Sequence, residues 1–124
     1  MEDAHPLVLV IEDSADVADA LALLLTLQGY KVATAGSRDE ALAQVKDGVR
    51  PCIALMDLSM AGMTPTAFVS ELSSDEVGLR NLPLVVLSGS GDVVEAKTIG
   101  ARALLRKPVD LDRLLAAIQE HRLK

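Results

Sequence analysis

Five short β-forming runs alternate with five helical patterns along these 124 residues, and that alternation leaves few folds open. The runs are Leu7–Ile11, Lys31–Ala35, Cys52–Met56, Leu84–Leu87 and Ala103–Arg106. The first, third and fourth are continuously apolar, as strands covered on both faces are. The helices carry their own start and stop signals. Ser14 is placed to cap the first, which repeats Val17, Leu21, Leu24 and Leu25 at helical spacing and stops at Gly29. Ser37-Arg38-Asp39-Glu40 reads as a capping box in which Glu40 returns to the cap amide, and Gly48 ends that helix. The third pattern covers Pro65 to Leu72. The fourth is short, opening at Asp92 with Glu95 in its first turn and closing at Gly100. The fifth opens at Asp110 and sets Leu111, Leu114, Leu115 and Ile118 on one face. This order predicts a doubly wound α/β fold, a parallel sheet with helices on both faces. Right-handed crossovers bring the C-terminal ends of the strands to one edge, where such sheets bind their ligands.

Length and composition bound the rest. The chain suits one domain, with a core from about residue 7 to 123. Half of it is hydrophobic, yet it has one Phe, one Tyr and no Trp, so the core must be aliphatic. A net charge of −6 argues against nucleic acid as a direct partner, because phosphate backbones need clustered Lys and Arg. The single cysteine, Cys52, rules out an intrachain disulfide and a cysteine zinc site, and reads as a small buried hydrophobe. The N-terminal residues Met1 to Pro6 are acidic where a signal peptide is basic, and Leu21 to Leu27 is too short to span a bilayer. The expectation is a soluble cytoplasmic protein without a membrane partner. No repeat, low-complexity tract or linker stands out, so this is either a whole small protein or a domain of a longer one.

The strand ends carry the chemistry. Glu12 and Asp13 end the first run, Asp57 the third, Ser88 the fourth and Lys107 the fifth. Each alone has a bland reading: Glu12 and Asp13 favour a helix dipole, Asp57 is a loop acid, Ser88 and Lys107-Pro108 are turn chemistry. Together they converge on one crevice. Clustered carboxylates repel unless a cation joins them, so three acids there imply a hard divalent ion with oxygen ligands, Mg²⁺ above all. A carboxylate can attack phosphorus to form an acyl phosphate, and a metal with an ammonium group neutralises the transferring oxygens. The hydroxyl of Ser88 is suited to bonding the phosphoryl group. His5 and His121 look uninvolved; Met56, Met60 and Met63 read as packing; Arg102, Arg106, Arg113 and Arg122 read as scattered solvated charges.

From Leu7 to about Leu123 the chain resembles the receiver domain of two-component response regulators. The resemblance rests on Val10-Ile11-Glu12-Asp13-Ser14, Leu55-Met56-Asp57-Leu58-Ser59-Met60, Leu87-Ser88-Gly89 and Arg106-Lys107-Pro108, all four in order. It implies a flavodoxin-like strand order 2-1-3-4-5, with Asp57 as phosphoacceptor and Mg²⁺ held by Asp13 and Asp57, by Glu12 through water and by the backbone carbonyl of Ser59. It further implies that Lys107 pairs with Asp57 and then the phosphoryl group, that Ser88 is the hydroxyl switch, and that the Lys107–Pro108 bond is cis. The implied partner is a histidine kinase or a histidine phosphotransfer domain, and the chain is expected as a monomer or weak homodimer.

The chain departs from the family in places. Ala61 stands where Pro is usual, Pro65 where Gly is usual, and Leu104 where an aromatic switch residue is common. The stretch from Ser88 to Lys107 is short. These changes leave the phosphoryl chemistry intact and touch the surface that many receivers use for output. A receiver-fold interaction module with an atypical or phosphate-independent output is the alternative. An aspartyl-phosphate phosphatase carries a second acid two positions after its nucleophile, where this chain has Ser59, so the chain is read as a non-enzyme.

Overall fold

Each apolar run forms a strand, and each helical pattern crosses the sheet that the strands build. The computed structural model describes residues 6–60, 64–74, 77–79, 81–89 and 93–123. Its elements run β1 (Leu7–Ile11), α1 (Ala15–Leu27), β2 (Lys31–Ala35), α2 (Arg38–Lys46), β3 (Ile53–Asp57), α3 (Pro65–Leu72), β4 (Leu84–Ser88), α4 (Val93–Thr98), β5 (Ala103–Arg106) and α5 (Leu111–His121). The strands pair in parallel in the order β2-β1-β3-β4-β5. β1, β3 and β4 lie inside the sheet and are buried on both faces, whereas the edge strands β2 and β5 are partly exposed.

Strand alternation divides the interior into two cores. Leu9, Ile11, Ala54 and Met56 meet Leu42, Val45, Phe68 and Leu72 on one face. Val8, Val10, Leu55 and Leu87 meet Leu21, Leu25, Leu114 and Ile118 on the other. Both cores are aliphatic with one ring each, Phe68 in the first and Tyr30 in the second. Gly29 and Gly48 take positive φ just past α1 and α2, which a side chain would resist. Among the described residues no helix is long and apolar enough to cross a membrane.

Four details depart from the sequence reading. β3 begins at Ile53 rather than Cys52 and includes Asp57, and β4 includes Ser88. Asp57 pairs in register with Leu87, and the Leu58 amide donates to the Leu87 carbonyl at 3.1 Å, so the ladder outlasts the apolar run. In α1 the buried residues are Ala18, Leu21 and Leu25, while Val17 and Leu24 face outward with Leu23 and Leu27. The helix is apolar nearly all round, so spacing alone did not fix which stripe the sheet covers. At α2 Ser37 Oγ accepts from the Glu40 amide at 3.1 Å, but the Glu40 carboxylate accepts from the Gly36 amide at 3.0 Å, one residue before the cap. Asp92, His5, Ala61 and Met63 lie outside the described residues.

Phe68 is fully buried on α3 and is the largest side chain in its core. Phe68→Ala should therefore lower the unfolding free energy by about 3–5 kcal/mol, read by urea denaturation. A loss below about 1 kcal/mol would mean that the aliphatic neighbours close the gap.

Candidate functional site

Three central strands and one edge strand deliver polar groups to the C-terminal rim of the sheet. Glu12 follows β1, Asp57 ends β3, Ser88 ends β4 and Lys107 follows β5. The rim has a buried floor: Glu12 is 2%, Asp57 3% and Ser88 1% exposed, while Asp13 faces solvent. Backbone ties fix the ends relative to one another. The Glu12 amide donates to the Ala35 carbonyl at 3.0 Å, and the Lys107 amide to the Ser88 carbonyl at 2.9 Å. The Lys107–Pro108 bond is cis, as the sequence reading expected.

The side chains close on a single cation. Lys107 Nζ lies 3.1 Å from Glu12 Oε1 and 3.1 Å from Asp57 Oδ2. The other oxygen of Asp57, Oδ1, accepts from the Ser59 amide at 3.0 Å and from the Ser59 hydroxyl at 2.8 Å. Glu12 Oε2 accepts from the Ser14 amide at 3.2 Å. Sequence reasoning anticipated the Lys107–Asp57 pair and missed two other contacts. Nothing local signals that Lys107 also binds Glu12, because the two are joined only through the sheet. The Ser59 amide contact did have a signal, since an Asp side chain commonly accepts from the backbone amide two residues on, and the hydroxyl adds a second bond to the same oxygen.

Electrostatics follow from this wiring. Burial, the strongest influence on Asp57, pushes its pKa up, but the Ser59 amide and hydroxyl and the Lys107 ammonium together hold it below the usual value. Burial dominates at Glu12 and raises it; the Asp57 charge adds to the rise, against the Ser14 amide and Lys107. Burial lowers Lys107, and the two carboxylates more than reverse that. Asp57 thus favours the fold above its unfolded pKa and loses that contribution as pH falls. Lys107 favours it below its unfolded pKa and loses that contribution as pH rises through the folded value. Ionised Glu12 works against it.

The donor set fits a hard cation. Among the described residues Glu12, Asp13 and Asp57 form a group that can each offer one carboxylate oxygen, all within 4.8 Å of one another. Ligands on opposite sides of a Mg²⁺ or Ca²⁺ ion stand about 4–5 Å apart, so the spacing suits one ion with oxygen ligands. Three carboxylates against one ammonium also leave an excess of negative charge that a divalent ion would balance.

Residues 8–119 match the family described as response regulator receiver domain. This chain belongs to that family. The receiver domain is 34% identical over 113 residues to the transcriptional regulatory protein ZraR of Salmonella typhimurium, covering 91% of this chain and 25% of that one. It is 34% identical over 121 residues to the C4-dicarboxylate transport transcriptional regulatory protein DctD of Pseudomonas aeruginosa, covering 94% and 25%. The receiver thus spans a quarter of the length of these relatives. A response regulator receiver protein from Pseudomonas putida superposes with a TM-score of 0.84 at 30% identity, covering 96% of this chain and 99% of that one.

Glu12→Gln removes the charge and keeps one acceptor oxygen, so one of the two contacts, to Lys107 Nζ or to the Ser14 amide, loses its acceptor at every pH. Because the folded state raises the Glu12 pKa, the ionised form costs stability above the unfolded pKa and nothing well below it. Only the parent bears that pH-dependent cost, so the melting point of the variant relative to the parent should rise in chelator from about pH 4 to neutrality. Thermal melts across pH check this, and a difference that stays flat or falls over that range would contradict it.

Proposed function

We propose that Asp57 is the phosphoacceptor of this receiver and takes its phosphoryl group from a phosphohistidine on a histidine kinase or histidine phosphotransfer domain. An Asp57 carboxylate oxygen attacks phosphorus, the P–N bond breaks, an acyl phosphate forms, and the imidazole leaves and picks up a proton. The reading is supported above all by Lys107 Nζ, held 3.1 Å from Asp57 Oδ2 beside the acid group. An ammonium there neutralises charge on the transferring oxygens as it develops, a preorganised electrostatic role. Asp13, Asp57, the Ser59 carbonyl and, through water, Glu12 would hold Mg²⁺, which supplies further charge neutralisation. Ser59 fixes the orientation of the Asp57 carboxylate through Oδ1. Ser88, buried one strand away, is suited to bond a phosphoryl oxygen and carry the change into the loop after β4.

On the same reading the chain is one receiver domain acting in the cytoplasm and passing a conformational signal to a protein target. It is a substrate of phosphoryl transfer and not an enzyme with turnover on other molecules. The phosphate-independent module remains the competing reading. It is favoured by the six-residue α4 and by Leu104, which offers no ring to move.

Incubation with acetyl phosphate and Mg²⁺ should add the mass of one phosphoryl group, and Asp57→Asn should abolish the addition. Lys107→Met should slow the reaction by about 10²-fold or more, as loss of an oxyanion donor does. Beryllofluoride with Mg²⁺ should shift the amide resonances of Ser59, Ser88 and Lys107. If none of these moves, the module reading stands in its place.

A further inference from the structure

A carboxylate has about four acceptor positions, two on each oxygen. Donors from the described residues already occupy three of them at Asp57. Oδ1 takes the Ser59 amide at 3.0 Å and the Ser59 hydroxyl at 2.8 Å, and Oδ2 takes Lys107 Nζ at 3.1 Å. The position left over is on Oδ2, beside the ammonium. A divalent ion placed there would face Lys107 across a single oxygen, and like charges that close repel strongly in a buried site. Oδ1 lies on the far side from Lys107 and on the side of Ser59, whose carbonyl is the further ligand of the reading above. Charge therefore directs the ion to Oδ1, where both positions are taken.

One of the two donors on Oδ1 has to give way, and they differ in freedom. The amide is part of the turn that carries the Ser59 carbonyl, so moving it would displace a ligand of the same ion. The hydroxyl hangs on an exposed side chain and turns about one torsion. Once turned, it meets water, which replaces the bond it lost. Almost any residue at position 59 supplies the amide and the carbonyl; the closing hydroxyl belongs to the serine side chain.

We propose that the Ser59 hydroxyl is a gate on Asp57: it closes the acceptor position that Mg²⁺ takes and swings into solvent when the ion binds. The same residue thus supports the ion through its backbone and opposes it through its side chain. This gate rests on the Mg²⁺ site of the reading above and not on phosphoryl transfer. It also differs in sign from a plain staple of the loop after β3. Loss of a staple would loosen the loop and weaken Mg²⁺ binding, whereas loss of a gate strengthens it.

The test titrates the ¹⁵N-labelled full chain with Mg²⁺ and follows the amides of Ser59, Ser88 and Lys107, with no phosphodonor present. Ser59→Ala should bind Mg²⁺ about three- to tenfold more tightly than the parent, the worth of one hydrogen bond to a carboxylate less its replacement by water. Ser59→Thr, which keeps the hydroxyl, should bind as the parent does. In the parent the Hα–Hβ couplings of Ser59 should change as Mg²⁺ saturates, because the side chain changes rotamer. Equal or weaker binding by Ser59→Ala, a Ser59→Thr chain that binds as tightly as Ser59→Ala, or couplings that stay constant in the parent would each overturn the gate. Absence of Mg²⁺ binding in every chain would strike the metal site and the gate together. Tighter binding by Ser59→Ala with no phosphorylation of the parent by acetyl phosphate would keep the gate and strike only the phosphoacceptor reading.

Discussion

The bonds from Lys107 to Glu12 and Asp57 are the interaction on which the rest of the site depends. Two carboxylates almost wholly removed from water lie within reach of each other at the rim of an aliphatic core. Burial and mutual repulsion both oppose their ionisation. One ammonium group 3.1 Å from each, with the donors of Ser59 and Ser14, opposes those effects, more than offsetting them at Asp57 and only in part at Glu12. Removing one partner of a buried ion pair typically costs about 3–5 kcal/mol because the other charge is stranded. The site is thus strained toward cations, which is the property that phosphoryl chemistry at Asp57 calls for.

That cluster exists because the sheet is parallel. Five strands running the same way put five C-terminal ends on one rim, and the right-handed crossovers keep the helices off it. β1 and β3 are neighbours, which sets Glu12 and Asp57 side by side; β4 and β5 follow, which brings in Ser88 and Lys107. The same topology leaves β5 as an edge. Its last residue, Arg106, immediately precedes Lys107, so the end of this edge strand sets the counter-ion of the site in place.

Much of this was legible in the residues. Uninterrupted apolar runs marked the inner strands, and Ser14, Ser37 and Asp110 marked helix starts, because capping and burial are local consequences of residue type. Asp57, Glu12, Asp13, Ser88 and Lys107 stood out because polar groups ended apolar runs. What escaped was set by distant partners. The limits of β3 and β4 depended on the ladder between them, which continues one residue into polar sequence. The buried stripe of α1 depended on where the sheet lay, since Val17, Leu23, Leu24 and Leu27 are as apolar as the residues chosen.

The sequence by itself determined the strand and helix order, the aliphatic character of the core and the identity of the polar groups at the strand ends, because each follows from side-chain chemistry over a few neighbouring positions. The tertiary structure alone decided that Lys107 answers Glu12 as well as Asp57 and that Glu12 and Asp57 lie side by side at the rim. Those relations join residues up to 95 positions apart, and only the register and strand order of the sheet bring them within a few ångströms.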